Sequence, residues 1–294
     1  MADYIGVVGA GVMGSGVAYN LAQTNHNVVL VDVSEDVLRK AEERISNTHR
    51  LAAFFNKNAD KRPGVIEKIF KNIRFTTDYS TLKDCCFLVE NINEDWELKA
   101  RLYKQLDEIC NPECIFAANT SCIPITKIAG ITGRPDKVIG IHFMNPVHFK
   151  NTVEVIRGYH TSEECLATTI EFLKEMNKVA ITVNDNPGFV SNRISHLFMN
   201  EAAYVVQEGV ATASQVDEIF KKCYGHGMGP LETADLIGLD TVVNSLKVLY
   251  ENYQDPKFKC CPLLQKMVYA GLYGRKSGEG FFDYKNQFDG STLV

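Results

Sequence analysis

The chain has no apolar run near the roughly 20 residues a helix needs to cross a bilayer, which excludes a transmembrane helix. It has no CxxC pair and no Cys/His spacing of the kind that holds structural zinc, so no metal site is expected. Its nine cysteines are an odd number and include two adjacent pairs, Cys85–Cys86 and Cys260–Cys261. That usage fits reduced thiols in a cytoplasmic protein and not a disulfide framework. A basic excess is missing too: 31 Lys and Arg against 36 Asp and Glu give a net charge of -5, which argues against a nucleic-acid partner. The opening MADYIGVVGAG carries no basic segment ahead of an apolar one, so no signal peptide is expected. Neither internal repeats nor low-complexity stretches occur.

What remains is an ordinary globular composition, 45% hydrophobic and 23% charged. At 294 residues the chain is long for one core, so two domains are expected. Residues 4–8 (YIGVV) and 27–31 (NVVLV) read as buried strands flanking a helix that starts near Gly11. From Glu35 to Arg74 the apolar residues recur at spacings of three and four, with a break at Arg62-Pro63-Gly64. This predicts a helical hairpin inserted into an α/β run. Strands return at 86–90, 115–118, 137–141, 153–156 and 178–183, with amphipathic helices marked by Leu98 to Ile109 and Leu166 to Met176. Such alternation predicts a mostly parallel sheet wrapped by helices. After Asn186-Pro187-Gly188 the strand pattern stops, and residues 189–209, 213–224, 230–252 and 260–271 all read as helices. The expected fold is therefore a Rossmann-like α/β dinucleotide-binding domain over 1–187 with an inserted helical hairpin, then an all-helical domain over 188–294.

Gly9-Ala10-Gly11-Val12-Met13-Gly14 is GxGxxG placed directly after a strand and at the start of a helix. Gly9 suits the tight turn, Gly11 a close backbone approach to pyrophosphate, and Gly14 close helix–strand packing. The phosphates would meet the free N–H groups of the helix amino terminus. The motif alone is weak and also suits a compact turn. Asp32, at the end of the second strand, strengthens it, because a carboxylate there can accept from both ribose hydroxyls and would repel a 2′-phosphate. No arginine follows it, so NAD is expected over NADP. The bland alternative for Asp32 is a strand-end turn residue.

Four polar residues stand in four separate phrases: Ser121 in AANTS, His142 in VIGIHFMNPV, Glu154 in VEVIRG and Asn192 in PGFVSNR. A histidine, a carboxylate to orient it and two small hydrogen-bonding groups suit removal of one proton from an alcohol. Taken singly, each has a structural reading, as a core histidine, a strand-end acid, a turn residue or a helix-start residue.

NTS at 119–121, RPDKVIGIHFMNPV at 134–147, VEVIRG at 153–158, PGFVSNR at 187–193, GMGPLETADLIGLD at 227–240 and GRKSGEGFFDY at 274–284 resemble the L-3-hydroxyacyl-CoA dehydrogenases, over essentially the whole chain. The resemblance implies an NAD-binding Rossmann-like domain, a helical carboxyl-terminal domain that forms a homodimer, and a catalytic cleft between them. It implies His142 as general base, Glu154 as its carboxylate partner, and Ser121 and Asn192 as hydrogen-bonding groups for the reacting oxygen or the thioester carbonyl. Glu94, Lys99, Asn145 and Lys276 are similar to family positions that touch the cofactor. His148 and His196 match no family histidine and read as structural or pocket-lining.

The chain departs from the family pattern in places. After Asn145-Pro146-Val147, where apolar residues are usual, it has His148-Phe149-Lys150-Asn151-Thr152. Ser195, His196 and Leu197 stand where aliphatics and a proline are usual, and Cys122 replaces a common serine. The residues nearest to the family's coenzyme A contacts in the hairpin are Thr48 and Phe55. A more polar lining suits a short or hydroxylated acyl chain, since stranding polar groups against alkyl chains costs free energy. The hairpin carries Lys57, Lys61, Arg62, Lys68, Lys71 and Arg74 against Asp60 and Glu67, which suits coenzyme A phosphates, an acidic acyl carrier protein, or simply a solvated face. The expected reaction is NAD-dependent oxidation of a short 3-hydroxyacyl thioester. Alternatives are a carrier-protein-bound substrate, such as a glyceryl group in hydroxymalonyl polyketide extender synthesis, a free hydroxy acid as in gulonate dehydrogenases, or a dinucleotide-binding protein without catalysis. The last would be expected to lack at least one of Ser121, His142, Glu154 and Asn192.

Overall fold

In the computed structural model, residues 4–55 and 64–285 are described. Lys57, Asp60, Lys61, Arg62 and Pro63 of the predicted hairpin lie outside them, and the Phe55 side chain with them. Among the described residues, no helix is long and apolar enough to cross a membrane.

The chain divides into two compact units, one ending at Asp185 and the other beginning at Asn186. The first runs β1 (Tyr4–Val8), α1 (Val12–Gln23), β2 (Asn27–Val31), α2 (Glu35–Phe55), α3 (Val65–Lys71), β3 (Ile73–Thr76), β4 (Cys85–Glu90), α4 (Trp96–Ile109), β5 (Ile115–Ala118), α5 (Ile125–Ala129), β6 (Val138–Phe143), β7 (Thr152–Arg157), α6 (Glu163–Glu175) and β8 (Val179–Asn184). The eight strands form one sheet in the order β3-β2-β1-β4-β5-β6-β7-β8. Every pairing is parallel except β6 with β7, which is antiparallel.

The central strands are buried on both faces, so they read as unbroken apolar runs. Val7, Leu30, Val89, Ala117 and Ile141 are fully buried, and they join Val17 and Leu21 of α1 and Leu173 of α6 in one core. Each such aliphatic contributes roughly 1.5–3 kcal/mol when removed from water. The helices start where the sequence supplies caps: Asp95 accepts from the Leu98 N–H and Ser162 from the Cys165 N–H.

The sequence-based reading fails at β3 and at the helix expected over 230–252, and it does not anticipate the short α5. Residues 73–76 belong to the predicted helical stretch yet form β3, at the sheet edge. Ile73 fits a helical spacing, but parallel pairing with Val28 to Val31 overrides it. The second failure lies in the other unit, which contains α7 (Ser191–Gln207), α8 (Ala213–Tyr224), α9 (Pro230–Ile237), α10 (Leu239–Tyr253) and α11 (Pro262–Tyr269). The single helix expected over 230–252 is two, because Gly238 adopts φ 102°, outside the helical region. This unit has its own core, including Met199, Leu231, Val242, Leu246 and Leu264.

Candidate active site

Two parts of the first unit hold the candidate residues: the glycine turn after β1, and the carboxyl ends of β4 to β6 with the amino-terminal end of β7.

At the turn, the Gly9 N–H donates to the Val31 carbonyl at 2.8 Å, stitching the turn to β2. A Cβ on Gly14 would lie 1.7 Å from the Gly9 carbonyl oxygen, so only glycine lets α1 start this close to β1. A Cβ on Gly11 would meet nothing within 4 Å, which leaves open space over the start of α1. No side chain caps that helix, and Val12 in its first turn is 59% exposed, while Met13 packs against the core. Uncapped N–H groups beside open space are what a pyrophosphate requires. Asp32 ends up half-buried past β2, where its Oδ2 accepts the Ala10 N–H at 2.7 Å. The carboxylate therefore also braces the turn itself. These residues fit a dinucleotide.

The second part rests on antiparallel pairing. His142 on β6 and Glu154 on β7 are direct cross-strand partners. Successive side chains of a strand alternate between faces, so this register puts both on one side of the sheet. His142 Nδ1 lies 3.2 Å from Glu154 Oε2, and each side chain is only 8% exposed. An ionised carboxylate only accepts, so the proton resides on Nδ1 and the Nε2 lone pair is left as the basic site. Ser121 Oγ, in the loop after β5, lies 3.3 Å from that Nε2. Ser121, His142 and Glu154 thus form one hydrogen-bonded row.

The other sequence-selected residues have the following local surroundings. Glu94, between β4 and α4, places its carboxylate on the backbone of the Ser121 loop. Lys99 on α4 is fully buried, with Nζ 2.7 and 2.8 Å from the two oxygens of Glu90. Asn145 is exposed in the connection after β6. Lys276 belongs to the second unit and pairs with Asp240 at 2.5 Å. Asn192, in the first turn of α7, offers its carbonyl to His196 Nδ1 at 2.9 Å, and His196 is buried. His148 is half-buried, edge-on to Tyr19 and beside Phe149, and burial pushes its imidazole down to about 4. Of the hairpin's basic residues, Lys68, Lys71 and Arg74 are exposed, and Lys68 donates to Asn25 Oδ1 at 2.8 Å.

Sequence reasoning missed the polar frame beneath this row. Glu90 ends β4 fully buried, and accepts from the Ile92 N–H and the Tyr103 hydroxyl besides Lys99. Burial raises its carboxyl above the ordinary range, and Lys99 opposes that shift. Asn119 donates to Asn91 Oδ1 at 2.7 Å and accepts the Phe143 N–H at 3.2 Å, tying β5 to the end of β6 beside His142. One signal was available: a glutamate closing an apolar strand needs a buried partner, and a lysine follows on the next helix. Among the described residues, no group of three or more His, Cys, Asp or Glu could hold a metal ion.

Residues 4–186 match the family model for the 3-hydroxyacyl-CoA dehydrogenase NAD binding domain, and residues 188–284 match that for the 3-hydroxyacyl-CoA dehydrogenase C-terminal domain. A probable 3-hydroxybutyryl-CoA dehydrogenase of Deinococcus radiodurans is 46% identical over 95% of this chain and 99% of its own length. A 3-hydroxybutyryl-CoA dehydrogenase of Clostridioides difficile is 40% identical over 95% of this chain and 99% of its own. The crystal structure of (S)-3-hydroxybutyryl-CoA dehydrogenase from Ralstonia eutropha superposes with a TM-score of 0.89 at 38% identity, covering 97% of this chain and 99% of that one. With both of its parts matched and relatives alike over nearly their full lengths, this chain belongs to the 3-hydroxyacyl-CoA dehydrogenase family.

Proposed function

We propose that this protein oxidises a short L-3-hydroxyacyl-CoA thioester, of the 3-hydroxybutyryl-CoA kind, to the 3-oxoacyl thioester with NAD, and runs the reverse reduction. The observation that carries the proposal is the row Ser121–His142–Glu154, with the basic Nε2 turned toward the serine hydroxyl. His142 Nε2 takes the proton of the substrate hydroxyl. Glu154 holds the imidazole in the reactive tautomer and stabilises the imidazolium that forms. Ser121 Oγ, beside the same nitrogen, fixes the reacting oxygen so that its proton points at the base. Bound NAD supplies the acceptor for the hydride that leaves carbon 3. Gly9, Gly11, Val12, Met13, Gly14 and Asp32 are the residues assigned to hold it. Asn192 is assigned a hydrogen bond to the reacting oxygen or the thioester carbonyl.

The short acyl chain and the coenzyme A carrier are supported by relatives named for 3-hydroxybutyryl-CoA. The helical domain over 188–294 is assigned to substrate binding and homodimerisation.

The deciding assay follows NADH formation with the same 3-hydroxyacyl groups presented as coenzyme A and as acyl-carrier-protein thioesters. The coenzyme A ester of 3-hydroxybutyrate should give a kcat/KM at least about tenfold above the carrier-protein ester, a difference of about 1.4 kcal/mol. A preference for the carrier protein would reassign the substrate. NADH binding without turnover of any thioester would defeat the enzymatic reading.

A further inference from the structure

The loop that presents Ser121 is held from outside by one carboxylate oxygen. Glu94 Oε1 accepts the N–H groups of Ser121 at 2.9 Å, Cys122 at 2.7 Å and Ile123 at 3.2 Å, and the Thr120 hydroxyl at 2.5 Å. Thr120 Oγ1 in turn accepts the Ile123 N–H at 3.1 Å. Thr120, Cys122 and Ile123 are buried, so one carboxylate oxygen gathers donors that lie out of bulk solvent. Three successive N–H groups pointing at one spot form a concavity that demands an anion. Here a neighbouring loop supplies the anion.

That carboxylate is itself anchored. Its Oε2 lies 4.0 Å from Lys99 Nζ, and Lys99 is fully buried and locked to both oxygens of Glu90 at the end of β4. The chain of contacts therefore runs from β4 through Lys99 and Glu94 to the backbone at 121–123. From there it reaches Ser121 Oγ, 3.3 Å from His142 Nε2. Moving a reacting group by about 1 Å costs on the order of a hundredfold in rate, so the accuracy of this brace bears directly on turnover.

We infer that Glu94 is a positioning residue, whose carboxylate fixes the backbone at 121–123 and so sets the Ser121 hydroxyl against His142. The inference rests on the role assigned above to Ser121. It differs from a direct cofactor contact, which the family resemblance implies for Glu94. The two make opposite predictions for cofactor affinity.

The test is a double-mutant cycle between Glu94→Ala and Ser121→Ala in the full-length protein, with kcat and KM measured on 3-hydroxybutyryl-CoA. NADH affinity from fluorescence and amide hydrogen exchange over 119–125 are read in parallel. Glu94→Ala should lower kcat about a hundredfold, with NADH affinity within about twofold of wild type. In the Ser121→Ala background the same change should cost no more than about twofold, because the group it positions is gone. Exchange over 119–125 should quicken. Glu94→Gln, which keeps an acceptor oxygen, should recover activity to within about tenfold of wild type, and it serves if Glu94→Ala fails to fold. Additive losses together with weakened NADH binding would make Glu94 a cofactor contact and overturn the inference. Unchanged exchange would overturn it as well, and so would a Ser121→Ala variant of normal kcat. If the wild type turned over no 3-hydroxyacyl thioester, the proposed reaction would fall separately, and exchange in Glu94→Gln and Glu94→Ala would still decide whether this carboxylate holds the loop.

Discussion

Both units bury carboxylates, yet the two sets have different partners. In the first unit Glu154 faces an imidazole, and Glu90 a lysine besides the Ile92 N–H and the Tyr103 hydroxyl. In the second, Asp217 accepts the N–H groups of Leu231 and Glu232 at the start of α9, at 2.9 and 2.8 Å. Asp235 accepts those of Phe281 and Phe282 at 3.0 Å, and the Tyr284 hydroxyl at 3.1 Å. Burial raises the carboxyls of Glu90, Asp217 and Asp235 alike. A displaced titration therefore marks burial in either unit and does not identify chemistry. The partner does: the second unit's acids bind backbone and a phenol, and so fasten chain to chain, whereas Glu154 binds a group that can change its own protonation.

The contrast breaks most sharply at His142. His142→Gln should lower kcat about a thousandfold or more while NADH affinity stays within about twofold, measured by steady-state turnover and fluorescence titration. Normal turnover would reduce the row to structure. Asp235→Ala should do the converse. It leaves two N–H groups and a phenol without their acceptor, at a cost of about 3 kcal/mol in denaturant-induced unfolding, with kcat per folded molecule within about twofold. A collapse of kcat at unchanged stability would erase the distinction between the units. Asp32→Ala should weaken NADH binding about tenfold, through lost ribose contacts and a looser turn at Ala10. Equal affinity would leave Asp32 with the backbone contact alone.

The smallest effect concerns His148, a perturbed group outside the row. Burial, and then the charge of Lys178, push its imidazole down to about 4 from 6.5. The unfolded chain then binds a proton that the folded chain refuses, so stability is full above about pH 6.5 and declines as the pH falls toward 4. His148→Phe keeps ring contacts with Tyr19 and Phe149 and should show a shallower fall in Tm across that window. Parallel curves would assign the acid sensitivity to other groups.

Much of this was legible in the sequence for physical reasons. The glycine turn and Asp32 are local, because spacing along one strand–turn–helix unit fixes their geometry. Seven of the eight strands show as short apolar runs. β3 does not, since a four-residue edge strand after a helix inherits that helix's spacing and is decided by pairing with β2. His142 and Glu154 were selectable as residue types, but their meeting depends on the β6–β7 register, which neither phrase encodes alone. The Glu94 brace is the least legible. Its acceptor meets backbone N–H groups 27 to 29 positions away, and every residue but proline carries such a group.

The antiparallel step from β6 to β7 has a consequence for how this enzyme can diverge. Cross-strand pairing clamps the imidazole and its carboxylate at either end of the connection over 144–151, so their meeting is set by the strands and not by that segment. His148 to Asn151 fall inside it. Val147 inside it belongs to the core, and the Val147 and Lys150 carbonyls accept from buried Lys178, so only substitutions that spare these anchors leave the reactive pair in place.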